Sequence, residues 1–139
     1  MTSLEKYVEE RRHLDDVIAC KLEELEMLEA LATKVSPSSG FSATGKVSDK
    51  VGKTAAKIVD LQAEINVYID RLVDMKAELM RKIDAVPFPL HRVMLERKYI
   101  LGNTIEEIAE KTGFSVSQVN RIFPAAKEEL EKMIGNDTK

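Results

Sequence analysis

Apolar residues recur along the first part of this chain at three- and four-residue steps. Leu4, Val8, Leu14, Ile18, Leu22, Leu25, Leu28 and Ala32 share one side of a helix, and Glu and Arg fill the other. The spacing predicts an amphipathic helix over about residues 3–33. Residues 34–47, KVSPSSGFSATGKV, break the rhythm with Pro37, two glycines and several serines, which predicts a flexible loop. A second helix is expected from near Ser48 to about Val86. Its seam is Val51, Ala55, Ile58, Ile65, Ile69, Leu72, Leu79, Ile83 and Val86. The same four-three rhythm also lands on Gln62 and Lys76, where Leu61 and Met75 can widen the seam.

A lone helix of that length must bury its seam against something. The first helix of the same chain or a second copy could supply the partner. Residues 1–86 are therefore expected to form a long helical hairpin or coiled coil. Pro87-Phe88-Pro89 ends the second helix, because proline cannot continue it and restricts the residue before it. A domain boundary is expected there, with a small second domain over residues 87–139. A third helix, about Leu90 to Ile100, opens that domain, and Leu101-Gly102-Asn103 turns the chain onward.

Residues 104–122, TIEEIAEKTGFSVSQVNRI, have the grammar of a helix-turn-helix. Thr104 can cap a first helix whose inner face is Ile105, Ile108 and Ala109. Gly113 stands where the chain must turn sharply, and glycine tolerates the left-handed backbone this needs. Ser115 can cap a second helix with Val119 and Ile122 inward. Ala109 is small where the two helices cross. Ser115, Val116, Ser117, Gln118, Asn120 and Arg121 are left outward, mostly polar and able to meet base edges in a major groove. The expected fold is thus all-α, a long N-terminal helical hairpin or coiled coil followed by a small helix-turn-helix domain.

Composition adjusts this picture. Aromatics are 5% of residues and charged residues 32%, a mix suited to narrow helical seams rather than a large core. The net charge of −3 is not the usual signature of a nucleic-acid binder. Residues 1–45 hold five Lys/Arg against nine Asp/Glu, residues 46–86 eight against seven, and residues 87–139 eight against eight. A basic footprint must therefore come from local segregation, with Arg92, Arg97, Lys98, Arg121 and Lys127 set apart from Glu106, Glu107 and Glu110. Cys20, the single cysteine, excludes an internal disulfide and fits a cytoplasmic protein. The N-terminus has no signal-like apolar region, and no apolar run is long enough to span a bilayer.

Several motifs carry no chemistry. Gly40 through Lys46 has the glycine and lysine spacing of a phosphate-binding loop. Val47 stands where a Ser or Thr is needed, and no apolar strand precedes it. His13 and His91 lack partners at metal-ligand spacing. No nucleophile, acid or base constellation is present, so neither an enzyme nor a cofactor or metal site is expected.

The stretch from Leu90 to Leu130 resembles the promoter-reading C-terminal domain of bacterial sigma factors, in Leu90, Val93, Leu95, Tyr99, Gly102, Thr104, Glu106 to Ala109, Gly113, Ser115, Val119 and Leu130. The chain is more similar still to phage and prophage proteins of the autolysin-regulator (ArpU-like) type. That likeness rests on Ser48 to Gly52, Ala56 through Lys76, and the signature from Arg97 to Arg121, and covers about residues 45–130. It implies a phage late-gene transcriptional regulator. Phe123-Pro124 departs from the family pattern, since such proteins continue the recognition helix there. A kink is expected, or a stop near Ile122 and a restart with Pro124 in the first turn.

The function expected is sequence-specific binding of double-stranded DNA by a transcription regulator. Arg121 is expected to contact guanine or phosphate and Gln118 an adenine edge. Ser115, Ser117 and Asn120 would add hydrogen bonds, and the helix end at Thr104 a phosphate contact. The N-terminal helices would join two copies as a dimer. The alternative is an adaptor that binds a protein such as RNA polymerase, or serves in phage assembly, without reading DNA.

Overall fold

The heptad rhythm and the near absence of Gly and Pro over residues 45–86 leave the backbone no reason to depart from a helix. The computed structural model, which describes residues 2–34 and 45–137, shows an all-α fold, with no strand among those residues. The helices are α1 (Ser3–Lys34), α2 (Gly45–Asp84), α3 (Pro89–Leu95), α4 (Ile105–Thr112) and α5 (Val116–Asp137). α2 begins three residues earlier than the composition suggested, as no proline follows Pro37 to prevent it. Most of the 34–47 loop lies outside the described residues.

Contacts divide the chain into two units, Arg12–Leu72 and the pair Met1–Arg11 with Val73–Lys139. In the first unit, Leu14, Leu61 and Ile65 are buried. Lys21 Nζ lies 2.8 Å from Glu64 Oε1 and 6.0 Å from the centre of the Tyr68 ring. The hydrogen bond to Glu64 holds the Lys21 ammonium above its usual range, against a smaller desolvation that acts the other way. Burial along α2 here follows Ile58, Leu61, Ile65, Tyr68 and Leu72. It does not follow the rhythm through Val51, Ala55, Gln62 and Ile69, which are all exposed. The two rhythms share Ile58, Ile65 and Leu72, so the apolar surface of α2 is wider than one facing helix covers. Leu22, expected inward on α1, is likewise exposed.

The second unit has two adjoining cores. Leu4, Leu79, Ile83, Val86, Leu95, Tyr99, Ala126 and Leu130 form one. Met94, Ile108, Ala109 and Val119 form the other. Phe123 packs against both, and its ring centre is 6.0 Å from that of Tyr99. The first core draws its members from both ends of the chain.

α3 does not run on as a regular helix to Ile100. Glu96–Ile100 forms a π-helical turn, which Leu101 N closes on Glu96 O at 3.0 Å. Gly102, at φ 74°, then reverses the chain, and Asn103 N donates to Arg97 O at 2.8 Å. This wider exit leaves the Tyr99 carbonyl to donors from α1. Tyr7 Oη and Arg11 Nη1 each donate to it at 3.1 Å. Helix-end carbonyls need such external partners, and these come from about ninety residues away in sequence.

Leu4 is therefore a core residue although it stands at the edge of the chain, with 1% of its surface exposed. Leu4→Ala should lower stability by about 2–5 kcal/mol, the usual cost of a buried leucine truncation. Thermal or denaturant unfolding measures it, and a cost near zero would mean that the first turn of α1 is not part of this core.

Candidate nucleic-acid interface

α4 and α5 are each fixed at their start by the side chains of their own first turn. Thr104 accepts from Glu107 N at 3.2 Å, and Glu107 Oε1 accepts from Thr104 N at 3.4 Å. This reciprocal capping box satisfies two backbone donors that the helix leaves open. α4 ends at Gly113, whose φ of 82° lets its N–H reach Ala109 O at 3.0 Å. α5 opens the same way. Gln118 N donates to Ser115 Oγ at 3.1 Å, and Ser115 N donates to Gln118 Oε1 at 2.9 Å. Phe114, just before this cap, packs into the cluster that holds Val119, in the manner of a hydrophobic staple.

With its start fixed, α5 turns Val119 fully into the core and half-buries Ile122. Ala109 sits in the same cluster, where its small side chain permits the close approach of α4 and α5. Ser117, Asn120, Arg121 and Pro124, spaced i, i+3, i+4, i+7, are exposed together. Ser115, Val116 and Gln118 are exposed beside them. The first two turns of α5 thus present two hydroxyls, two amides and one guanidinium.

α5 neither stops at Ile122 nor restarts at Pro124. It runs unbroken from Val116 to Asp137 with Pro124 inside. The carbonyl that loses its partner belongs to Asn120. Both Asn120 and Pro124 are exposed, so water can take the missing bond.

The structure separates the expected site residues into two groups. Ser115, Ser117, Gln118, Asn120 and Arg121 stand together on α5. Thr104 stands at the start of α4, where its hydroxyl oxygen accepts from Glu107 N and its N–H donates to Glu107 Oε1, and where exposed Glu106 adds another carboxylate. Two carboxylates at that helix start oppose a phosphate rather than invite one. The basic footprint is also narrower than the sequence suggests. Arg92 Nη1 is tied to the carbonyls of Val86 at 2.8 Å and Pro87 at 3.2 Å, where it braces the proline break. Arg97 is half-buried, its Nη1 3.5 Å from Asn103 Oδ1. Lys98 and Lys127 are half-buried as well, which leaves Arg121 the exposed cation of the first two turns of α5.

Sequence reasoning missed three ties that hold this face in place. His91 Nδ1 and Glu129 Oε2 lie 2.9 Å apart and join α3 to α5. Phe88 stands edge-on to His91, their rings 4.8 Å apart. Tyr7 and Arg11 hold the π turn. The first and third join residues far apart in sequence, which no local signal announces, and the second is an i, i+3 pair within reach of a local reading.

Among the described residues, no group of three or more His, Cys, Asp or Glu side chains could hold a metal ion. No helix there is long and apolar enough to cross a membrane. The start of the glycine- and lysine-spaced segment, residues 40–44, lies outside the described residues. Comparison with protein-family models, with curated proteins and with solved structures gives no match.

Two outcomes follow from this geometry. Ser115→Ala removes the α5 cap and should cost about 0.5–2 kcal/mol in an unfolding measurement, whereas Ser117→Ala should cost almost nothing. The second concerns pH. Burial, with the charge of Glu131 behind it, pushes the Tyr99 phenol up to about 12 from an ordinary 10.0. The fold therefore prefers the neutral phenol. Its contribution to stability is intact below about pH 10 and is lost as pH rises through about 12. A Tyr99→Phe variant should lose less stability over that window than the parent, and should lack the phenolate absorbance step near pH 12.

Proposed function

We propose that this chain is a sequence-specific DNA-binding regulator of transcription, of the phage or prophage kind. One observation carries the reading. The first two turns of α5 expose Ser117, Gln118, Asn120 and Arg121 on one side, while a capped start and a buried Val119 fix the helix from the other. A helix so held can enter a major groove with its N-terminal side chains first.

Arg121 would donate two hydrogen bonds to the O6 and N7 of a guanine, or bind a phosphate. Asn120 and Ser117 would contact base edges or backbone. Gln118 has a double role. Its Oε1 accepts from Ser115 N, which leaves the second lone pair of that oxygen and the amide N–H groups to meet DNA. Full recognition of an adenine edge, which needs both ends of the amide, would have Oε1 accept twice, from Ser115 N and from the base. Thr104 would act by holding α4 rather than by touching phosphate.

A second reading rests on charge. Exposed Glu106, Glu107 and Glu110 on α4 are poorly suited to lie beside a DNA backbone. They suit a basic protein surface, such as one on RNA polymerase, and the chain would then be an adaptor that does not read DNA. With one exposed cation on its face, a single head would bind DNA weakly. Two heads coupled through the N-terminal helices would bind far better by effective concentration.

Arg121→Ala tests the proposal. Specific DNA affinity should fall by about 1–3 kcal/mol, with preference relaxed at one base position and melting unchanged. DNA affinity and base preference unchanged by the substitution would overturn the role of Arg121, and salt-insensitive polymerase binding without DNA retention would favour the adaptor.

A further inference from the structure

α2 has a side that the fold leaves open. Between residues 51 and 69 its charged residues are Lys53, Lys57, Asp60 and Glu64. At 3.6 residues per turn these four fall on one stripe, to one flank of buried Leu61 and Ile65. Val51, Ala55, Val59, Gln62, Asn66 and Ile69 fall on the other flank, about 180° from the charges by the same geometry. All six are exposed, Val59 at 62%, Val51 at 40% and Ile69 at 37%. A helix side left to water in a chain with 32% charged residues is expected to carry charge, and this band carries none.

We propose that a second copy of this chain docks on that band, α2 against α2 in antiparallel sense. The band's lack of charge argues against nucleic acid or a lipid headgroup as its occupant. Two copies can approach through it with their charged stripes turned outward, so no like charges are forced together. The side chains are also self-complementary about a twofold axis between residues 60 and 61. Val59 then faces Gln62 of the second copy and Ala55 faces Asn66. Ile69 lies five whole turns from Val51, on the same bearing, and so meets Val51 of the second copy, apolar against apolar. Apolar side chains meet at each end, and the Gln62 amides of the two copies flank the centre, where they can bond across the axis. A shared patch that meets itself in this way is the isologous contact of a closed dimer.

This names the surface for the coupling of two heads proposed above. It is tested without DNA, so its failure and the failure of DNA reading are distinguishable. Sedimentation of the full chain over a concentration series should show a reversible dimer of the 15.6 kDa protein. Val59→Lys with Ile69→Lys should weaken that dimer at least ~100-fold with helicity unchanged, since a buried unpaired charge is costly and both side chains are exposed in the single chain. Gln62→Lys, a change from one polar residue to another, should weaken it in the same direction. Lys57→Gln, on the opposite side, should leave it within about twofold. A parent chain that stays monomeric at every concentration would overturn the proposal. So would a dimer that Gln62→Lys and the double variant leave unchanged.

Discussion

The carbonyl of Tyr99, held by Tyr7 and Arg11 at 3.1 Å each, is the point on which the C-terminal helices depend. The π turn around it sends the chain toward Gly102 and so sets where α4 begins. A regular helix would have met this carbonyl with its own backbone. The π turn gives that up, and α1 makes good the loss. Each bond contributes on the order of 1 kcal/mol, more for the charged donor. The larger effect is positional, because the two donors bring Leu4 and Val8 down onto the core that Leu95, Tyr99, Ala126 and Leu130 build. The first eleven residues thus act as part of the platform under α4 and α5.

Above that platform, α4 and α5 are set locally. Each has a reciprocal cap, and Gly113 supplies the one backbone conformation that other residues resist. The arrangement has an electrostatic consequence. Glu107 is consumed as a cap at the start of α4, and Arg92 is consumed in bracing the proline break. What remains on the α5 face is one guanidinium among neutral polar groups. Such a face would discriminate by hydrogen-bond geometry more than it attracts by charge, and the proposed reading of DNA therefore rests on the proposed pairing of heads.

Much of this was legible in the sequence where the cause is local. The i, i+3, i+4 spacing of Ile105, Ile108 and Ala109, the cap residues Thr104 and Ser115, and Gly113 are each read from a few neighbouring letters. Their burial and hydrogen bonds in the structure follow those letters closely. The long helices were legible for the same reason. The sequence misled where two patterns overlapped. On α2 the strict heptad through Val51, Gln62 and Ile69 suggested the buried side, but burial follows Leu61 and Tyr68, one residue round. Pro124 misled for another reason. Its cost falls on one carbonyl, and whether water can take that bond is a matter of exposure, which sequence does not state. The Tyr7 and Arg11 contacts and the pairing of His91 with Glu129 could not be read at all, since nothing in their local pattern distinguishes a structural tie from a solvated side chain.

The central claim is that the capped, outward face of α5 reads sequence. Selection of bound fragments from a random double-stranded DNA pool by the full chain, repeated at two salt concentrations, tests it most directly. The account predicts that one short motif is enriched, repeated about a centre of symmetry, and enriched at both salt concentrations although overall retention falls as salt rises. Retention that fades with salt but enriches no motif, or no retention at the lower salt, would contradict it.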